Sequence, residues 1–207
     1  TGYGQTGPKA QVAAHDLNYQ AQTGMLALSG DDQGRPMIPP TLTADIAGGA
    51  YPAVMNILLA LRQRDHSGAG CHLDISMADN LFPLMYWGLG NGWQHGLWPR
   101  TSAELVTGGT SRYQVYRTAD DRYLAAAPLE DKFWHAFLGL IGLPELASVP
   151  DSESVRTRIA DTLRTRNAED WLRILADADT CVCAIVDLQE AVKDPHFIAR
   201  GVFAHRV

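Results

Sequence analysis

The sequence predicts a fold that combines helices and strands, with a compact α+β unit in its C-terminal half. The first observation is residues 111–128, where apolar and polar side chains alternate on either side of the turn sequence ADD, as in a β-hairpin. The second is a series of closely spaced segments that follow the hairpin, each with the length and periodicity of one element. These segments predict an amphipathic helix over 130–143, helices over 152–166 and 168–178, a short apolar strand over 180–186 and a helical stretch that begins at 188.

The first half of the chain is predicted to be mainly helical, with glycine-rich loops between the helices. Residues 1–8 form a loop, and a short helix begins near His15 and stops at Gly24. The apolar run that begins at Asp45 predicts a long buried helix, with an acid at its positive end and bases at its far end. Gly48 and Gly49 inside it indicate close packing or the close approach of a ligand. Downstream, the pattern predicts a strand over 71–76, helical character over 77–87 and a linker over 88–109.

Composition argues against nucleic acid as a partner. The 207 residues carry 17 Lys and Arg against 23 Asp and Glu, a net charge of −6, and the basic residues do not cluster. Three cysteines without a regular framework fit a reducing compartment, so we expect a cytoplasmic protein. Cys181 and Cys183 are interpreted as small buried strand residues, and we expect no metal site there because no further ligands are nearby.

We also expect no membrane partner. The longest apolar stretch, residues 51–61, is interrupted by Pro52 and Asn56 and is too short to cross a bilayer. The sequence begins with Thr1 and opens directly on a loop-like motif, so we interpret the chain as a piece of a longer protein.

Two residues stand where acid–base chemistry is favoured. His15 and Asp45 are each at a predicted helix start, and helix N-termini present unpaired N–H groups that suit a developing oxyanion. A histidine and a carboxylate can exchange protons near neutral pH. The residue pattern alone leaves the alternative open, because Asp45 as a plain N-cap and His15 as a loop histidine are common. Glu130 is, on the same grounds, an ordinary acid at a helix start.

Six segments then occur in a characteristic order along essentially the whole chain. They are GYGQTGP, HDLNY, ADIAGG, SGAGCHLDISMAD, GGTSRYQVYRTADDRYLAAAPLEDKFW and DPHFIARGVF. In this order the chain resembles the α-methylacyl-CoA racemases of the class III CoA-transferase (CaiB/BaiF) family. The resemblance implies an α/β fold, with part of a Rossmann-like large domain over 1–77, a linker over 78–110 and a small α+β domain over 111–207.

The resemblance also implies a catalytic set. The HD-x-NY motif supplies a histidine, which falls on His15, and the AD-x-x-GG motif supplies an aspartate, which falls on Asp45. The E-x-x-F motif supplies a glutamate, which falls on Glu130, with Phe133 completing the match.

Two further positions, Asp16 and Tyr19, match residues that line the thioester end of the CoA site in such enzymes. The implied substrate is a 2-methyl-branched acyl-CoA, and the implied reaction inverts its α-carbon through an enolate. CoA would enter as part of the thioester, so no separate cofactor is expected. The implied assembly is an interlocked homodimer.

Two alternatives stay open. In a class III CoA-transferase, the residue matching Asp45 is a nucleophile that forms an acyl anhydride. Such enzymes usually lack a histidine matching His15, and formyl-CoA transferases carry a run of glycines where this chain has only Gly108 and Gly109. Alternatively, the chain is a catalytically incomplete fragment, since the family's CoA-binding half lies mostly upstream of these segments.

Overall fold

The structure is a computed structural model that describes residues 1–31 and 33–204. The chain divides into two compact units, one over Thr1–Thr107 and one that begins at Gly108. The described residues combine helices with a three-stranded antiparallel sheet, so the mixed fold class predicted from the sequence is confirmed.

The first unit is built from helical elements joined by loops. It contains α1 (Asp16–Gln22), a 3-10 helix (Met25–Leu28), a π-helical segment (Ala44–Ala50) that runs into α2 (Tyr51–Ser67), a 3-10 helix (Asp79–Met85), α3 (Tyr86–His95) and a 3-10 turn (Leu105–Thr107).

The second unit is the α+β arrangement that the sequence predicts. It contains β1 (Gln114–Arg117), β2 (Tyr123–Ala126), α4 (Asp131–Leu140), a 3-10 helix (Pro144–Ser148), α5 (Glu153–Leu163), α6 (Ala168–Leu175), β3 (Val182–Ala184), α7 (Leu188–Ala191) and α8 (Pro195–Ala199). The strands form the predicted hairpin, with Val115 opposite Ala125, and β3 then pairs with β2. Leu124, Phe137 and Ile159 are fully buried in the core between the sheet and the helices.

The cysteines depart from the prediction. Cys181 and Cys183 were expected to be buried, but both are exposed, as is Cys71. Cys183 lies on β3, the last strand of the sheet, where alternate side chains point away from the core. An apolar run on an edge strand therefore does not imply burial of every member.

The helix that begins beside Asp45 was predicted to be buried, and this is wrong for the described chain. None of the residues of α2 is buried, and Tyr51 and Leu59 are 64% and 63% exposed. Only the preceding π-helical segment is covered, where Ala44 and Gly48 are buried. The helix is apolar on most faces, and the described residues leave most of its side chains exposed.

The length argument against a membrane span also fails. The helix continues from Ala44 to Ser67, 24 residues, and is long and apolar enough to cross a membrane by length and composition. Pro52 does not interrupt it: the residue lies at the junction where the π-helical segment passes into α2, and the helix continues on both sides of it. The Asn56 side chain donates to the Pro52 carbonyl at 2.8 Å and is thereby satisfied inside the helix. Core helices of soluble proteins meet the same criterion, so the expectation of no membrane partner stays a prediction.

The strand predicted over 71–76 is not formed. The segment instead lies beside the first residues of the chain, where the Thr1 amino group donates to the Ile75 carbonyl at 2.9 Å and the Gln5 N–H donates to the Asp74 carboxylate at 2.7 Å. A pairing of this length gives too few consecutive hydrogen bonds for a strand.

Part of the stretch predicted as a linker is helical. Helix α3 forms despite its three glycines, and two of them permit a close approach: a Cβ on Gly92 would lie 2.5 Å from the Trp98 ring, and one on Gly88 would lie 3.0 Å from Pro99. The predicted domain limits, 1–77, 78–110 and 111–207, remain predictions about the complete family fold.

Candidate active site

His15 is placed at the start of α1, as the sequence predicts. It is the N-cap residue, with extended backbone, and its carbonyl accepts the N–H groups of Asn18 and Tyr19 at 2.9 and 3.2 Å. The Asn18 side chain reaches back and accepts the His15 backbone N–H at 3.0 Å. Residue 15 is exposed, so its imidazole is accessible from solvent.

Asp45 is the second residue of the π-helical segment and is also exposed. A π-helix is wider than an α-helix and is found mostly as a short insertion, frequently at functional sites. The wider turn changes the direction in which the first side chains project. The sequence predicted a helix that starts at this point but gave no sign that its first turns are π-helical.

Asp16 joins the two helix starts. Its Oδ1 accepts the backbone N–H groups of Ala44 and Asp45, at 2.6 and 3.0 Å, and its Oδ2 accepts the Gln20 side-chain amide at 2.6 Å. The residue is only 6% exposed, and no salt bridge to it is found among residues 1–31 and 33–204. Its charge is thus stabilised by N–H donors at a helix N-terminus. Because Asp16 directly follows His15, this contact brings the two predicted bases into one neighbourhood.

Tyr19, on the same helix as Asp16, packs against the segment that precedes His15 and against Tyr3. It is buried, its hydroxyl donates to the Ala14 carbonyl at 2.9 Å, and its ring meets that of Tyr3 edge-on at 5.0 Å between centroids. Burial, followed by the charges of Tyr3 and Asp45, raises the pKa of Tyr19 above its ordinary value. The shift is in the direction that keeps the hydroxyl protonated, which is the form that donates to the Ala14 carbonyl.

The other side of the π-helical segment is held by the chain after residue 76. The Asn80 side chain donates to the carbonyls of Gly48 and Ser76, both at 2.9 Å. Gly48 is buried, and a Cβ there would lie 2.5 Å from the backbone oxygen of Met77. Of the two explanations that the sequence offered for Gly48, close packing is the one the structure gives.

Glu130 lies in the second unit. It is the exposed N-cap of α4, and its carbonyl accepts the N–H groups of Phe133 and Trp134, both at 3.0 Å. Phe133 lines an open pocket of about 570 Å³ together with Leu175 and Cys181.

The structure thus brings His15, Asp16, Tyr19 and Asp45 together within the first unit. The residues that sequence reasoning missed are Gln20 and Asn80, whose side chains hold the Asp16 carboxylate and the π-helical backbone. The contact of Gln20 could have been predicted from the sequence, since Gln20 lies four residues after Asp16 and therefore on the same helix face. No such signal existed for Asn80, which is distant in the sequence from its partner Gly48.

Comparison with known proteins gives the family. The sequence matches CoA-transferase family III over residues 1–206. It is 31% identical over 209 aligned residues to the α-methylacyl-CoA racemase of Mus musculus, an alignment that covers 98% of this chain and 55% of that protein. It is 27% identical to the acetyl-CoA:oxalate CoA-transferase of Acetobacter aceti, covering 98% of this chain and 54% of that protein.

The fold has the same relatives. A CaiB/BaiF family protein from Brucella suis superimposes with a TM-score of 0.77 at 27% identity, covering 97% of this chain and 55% of that structure. The chain therefore has the class III CoA-transferase fold, and it spans about half the length of the curated relatives it matches.

Proposed function

This chain belongs to CoA-transferase family III, and we propose that the protein containing it interconverts (R)- and (S)-2-methylacyl-CoA thioesters. The observation that supports this most directly is the Asp16 contact, because it holds the helix starts of His15 and Asp45 side by side with both residues exposed. The 31% identity to a racemase favours the same reaction.

The chemistry needs two bases. The α-hydrogen of an acyl-CoA is weakly acidic because the thioester carbonyl can accept the charge as an enolate. Inversion requires that one group removes the proton from one face while a second group delivers a proton to the other. We assign His15 to one face and Asp45 to the other, with the roles exchanged in the reverse direction.

The enolate oxygen also needs a donor. The Asp16 carboxylate accepts hydrogen bonds and has no hydrogen to donate, so we assign this role to backbone N–H groups at the start of α1, near Asp16. By the family resemblance, Glu130 would accept the second ring N–H of His15 across a homodimer, which would fix the imidazole tautomer and favour its charged form.

A CoA-transferase reaction is the second candidate, favoured by the identity to transferases and by the exposed Asp45 carboxylate. There, the carboxylate would attack the thioester carbonyl, expel the CoA thiolate and form an acyl anhydride. A base at position 15 is not required for that step, so His15 separates the two proposals.

The test is deuterium incorporation from D₂O into single-enantiomer 2-methylacyl-CoA, with the wild-type protein in its full natural length and the variants His15→Ala and Asp45→Ala. We expect uptake at the α-carbon together with inversion, and loss of inversion in both variants. Chiral analysis and mass spectrometry of the recovered thioester give the two rates separately.

A different outcome would identify a CoA-transferase. If no α-deuterium enters, CoA moves to an added carboxylic acid and only Asp45 is required, the protein is a transferase and the racemase proposal fails. A variant at His66, an exposed histidine of α2, is the matched control and should behave as the wild type.

A further inference from the structure

Gln20 has no assigned role, yet it occupies one of the least exposed polar positions of the first unit. It is 2% exposed, and its side-chain amide donates to Oδ2 of Asp16 at 2.6 Å. An ionised carboxylate can only accept, so the amide must present its NH₂ group and cannot rotate away without leaving a buried donor unpaired. The contact therefore fixes the rotation of the Asp16 carboxylate.

The orientation of that carboxylate matters for Asp45. With Oδ2 held by Gln20, Oδ1 is directed at the Ala44 and Asp45 N–H groups, which it accepts at 2.6 and 3.0 Å. These are the first N–H groups of the π-helical segment, where no residue of the preceding turn can accept them. The first turn of the Asp45 helix is thus anchored to α1 through one carboxylate.

We propose that Gln20 is a positioning residue for Asp45, acting through Asp16 to set the distance between Asp45 and His15. The inference rests on the proposed two-base reaction. His15 stands on α1 itself, one residue before Asp16, so its position depends on the helix and not on the Gln20 amide. A change at Gln20 should therefore displace Asp45 relative to the substrate and leave His15 in place.

Two rates distinguish positioning from general stability. Inversion needs both bases, whereas exchange of the α-proton with retention needs only the base on one face. Loss of Asp45 alignment should lower inversion while His15 still exchanges the enantiomer whose α-proton faces it. A small displacement of a reacting group can cost on the order of 100-fold in rate.

The experiment uses Gln20→Met, which keeps the length of the side chain and removes the donor, and Gln20→Glu, which keeps the length and places a second carboxylate against Asp16. In D₂O, with each enantiomer in turn, we expect the ratio of inversion to exchange with retention to fall about 10- to 100-fold for one enantiomer. Both rates are measured on one sample, so their ratio does not depend on the fraction of the variant that folds.

Gln22→Glu is the matched control, because Gln22 is exposed on the same helix, and its ratio should equal that of the wild type. If the Gln20 variants lower inversion and exchange equally, Gln20 only supports the fold and the proposal is overturned. A wild-type protein that shows neither exchange nor inversion would instead refute the racemase function itself, so the two failures are distinguishable.

Discussion

Among single residues, Asp120 connects the hairpin to α6 in the second unit. Its Oδ1 accepts the Thr118 hydroxyl at 2.6 Å and the Ala168 N–H at 3.1 Å. The Thr118 bond is the main cause that lowers the pKa of Asp120 below its ordinary value. Because the folded-state pKa is the lower one, the stabilisation is complete above the unfolded-state pKa and is lost as the pH falls through the folded-state pKa.

We therefore expect Asp120→Asn to be less sensitive to acid than the wild type. The measurement is the urea midpoint of unfolding between pH 6 and pH 2, where the wild-type midpoint should fall further than that of the variant. Asp177→Asn, at an exposed aspartate of the same unit, is the control and should follow the wild type. Parallel curves for Asp120→Asn and wild type would contradict the assignment.

The sequence predicted candidate bases but not the side chains that hold them in place. His15 and Asp45 follow from motif positions, and the structure places both at exposed helix starts. Gln20 and Asn80 are amides without any motif, and their partners are fixed only by how α1, the π-helical segment and the chain after Ser76 pack together. Side-chain orientation across such contacts is a tertiary property that residue spacing does not contain.

At the scale of elements, the π-helical segment is packed so closely that a methyl group should disrupt it. A Cβ at Gly48 would lie 2.5 Å from the Met77 backbone oxygen, which cannot move aside as a flexible side chain can. We expect Gly48→Ala to lower the free energy of unfolding by about 1–3 kcal/mol, the usual effect of overpacking. Chemical denaturation followed by circular dichroism measures it.

The same substitution in α3 should have the opposite sign. Gly90 is exposed on that helix, and a Cβ there would meet nothing within 4 Å. Because alanine has the higher helix propensity, Gly90→Ala should raise the free energy of unfolding by about 0.5–1 kcal/mol. A loss of stability at Gly90 equal to that at Gly48 would show that close packing is not the cause.

Secondary structure was predicted correctly where the segments that pack against one another lie close together in the sequence. The hairpin over β1 and β2 and the helices α4, α5 and α6 form as predicted, since their apolar faces meet in one core between Tyr116 and Ala184. The segment 71–76 has strand periodicity, but in the described part of the chain it lies against the loop of residues 1–5 and pairs with no strand, so it stays irregular. A strand needs a neighbour, and the alternation of side chains alone does not supply one.

Across the whole molecule, the two units differ in how well their apolar residues are covered. The second unit has a continuous core that includes Leu124, Trp134, Phe137, Ile159 and Trp171. The first unit has a small cluster of buried residues around Tyr19, Ala44, Ala78 and Leu81, and it leaves the apolar side chains of α2 exposed. This helix was predicted to be buried because its residues are mostly apolar. An apolar composition does not show which residues, if any, pack against the helix.

An exposed apolar surface of this length should make the 207-residue chain associate with itself. Val54, Met55, Leu58 and Leu59 are each more than half exposed on α2, and contiguous apolar patches are uncommon on monomeric proteins. We expect sedimentation velocity to show concentration-dependent oligomers of the wild-type chain.

The double substitution Leu58→Lys and Leu59→Lys should shift the chain towards monomer, because two charges on that face oppose its burial. Gln63→Lys adds a charge at an exposed polar position of the same helix and should leave association unchanged. A wild-type chain that stays monomeric over a wide concentration range would contradict the prediction, because its apolar helix would then be tolerated in water without a partner.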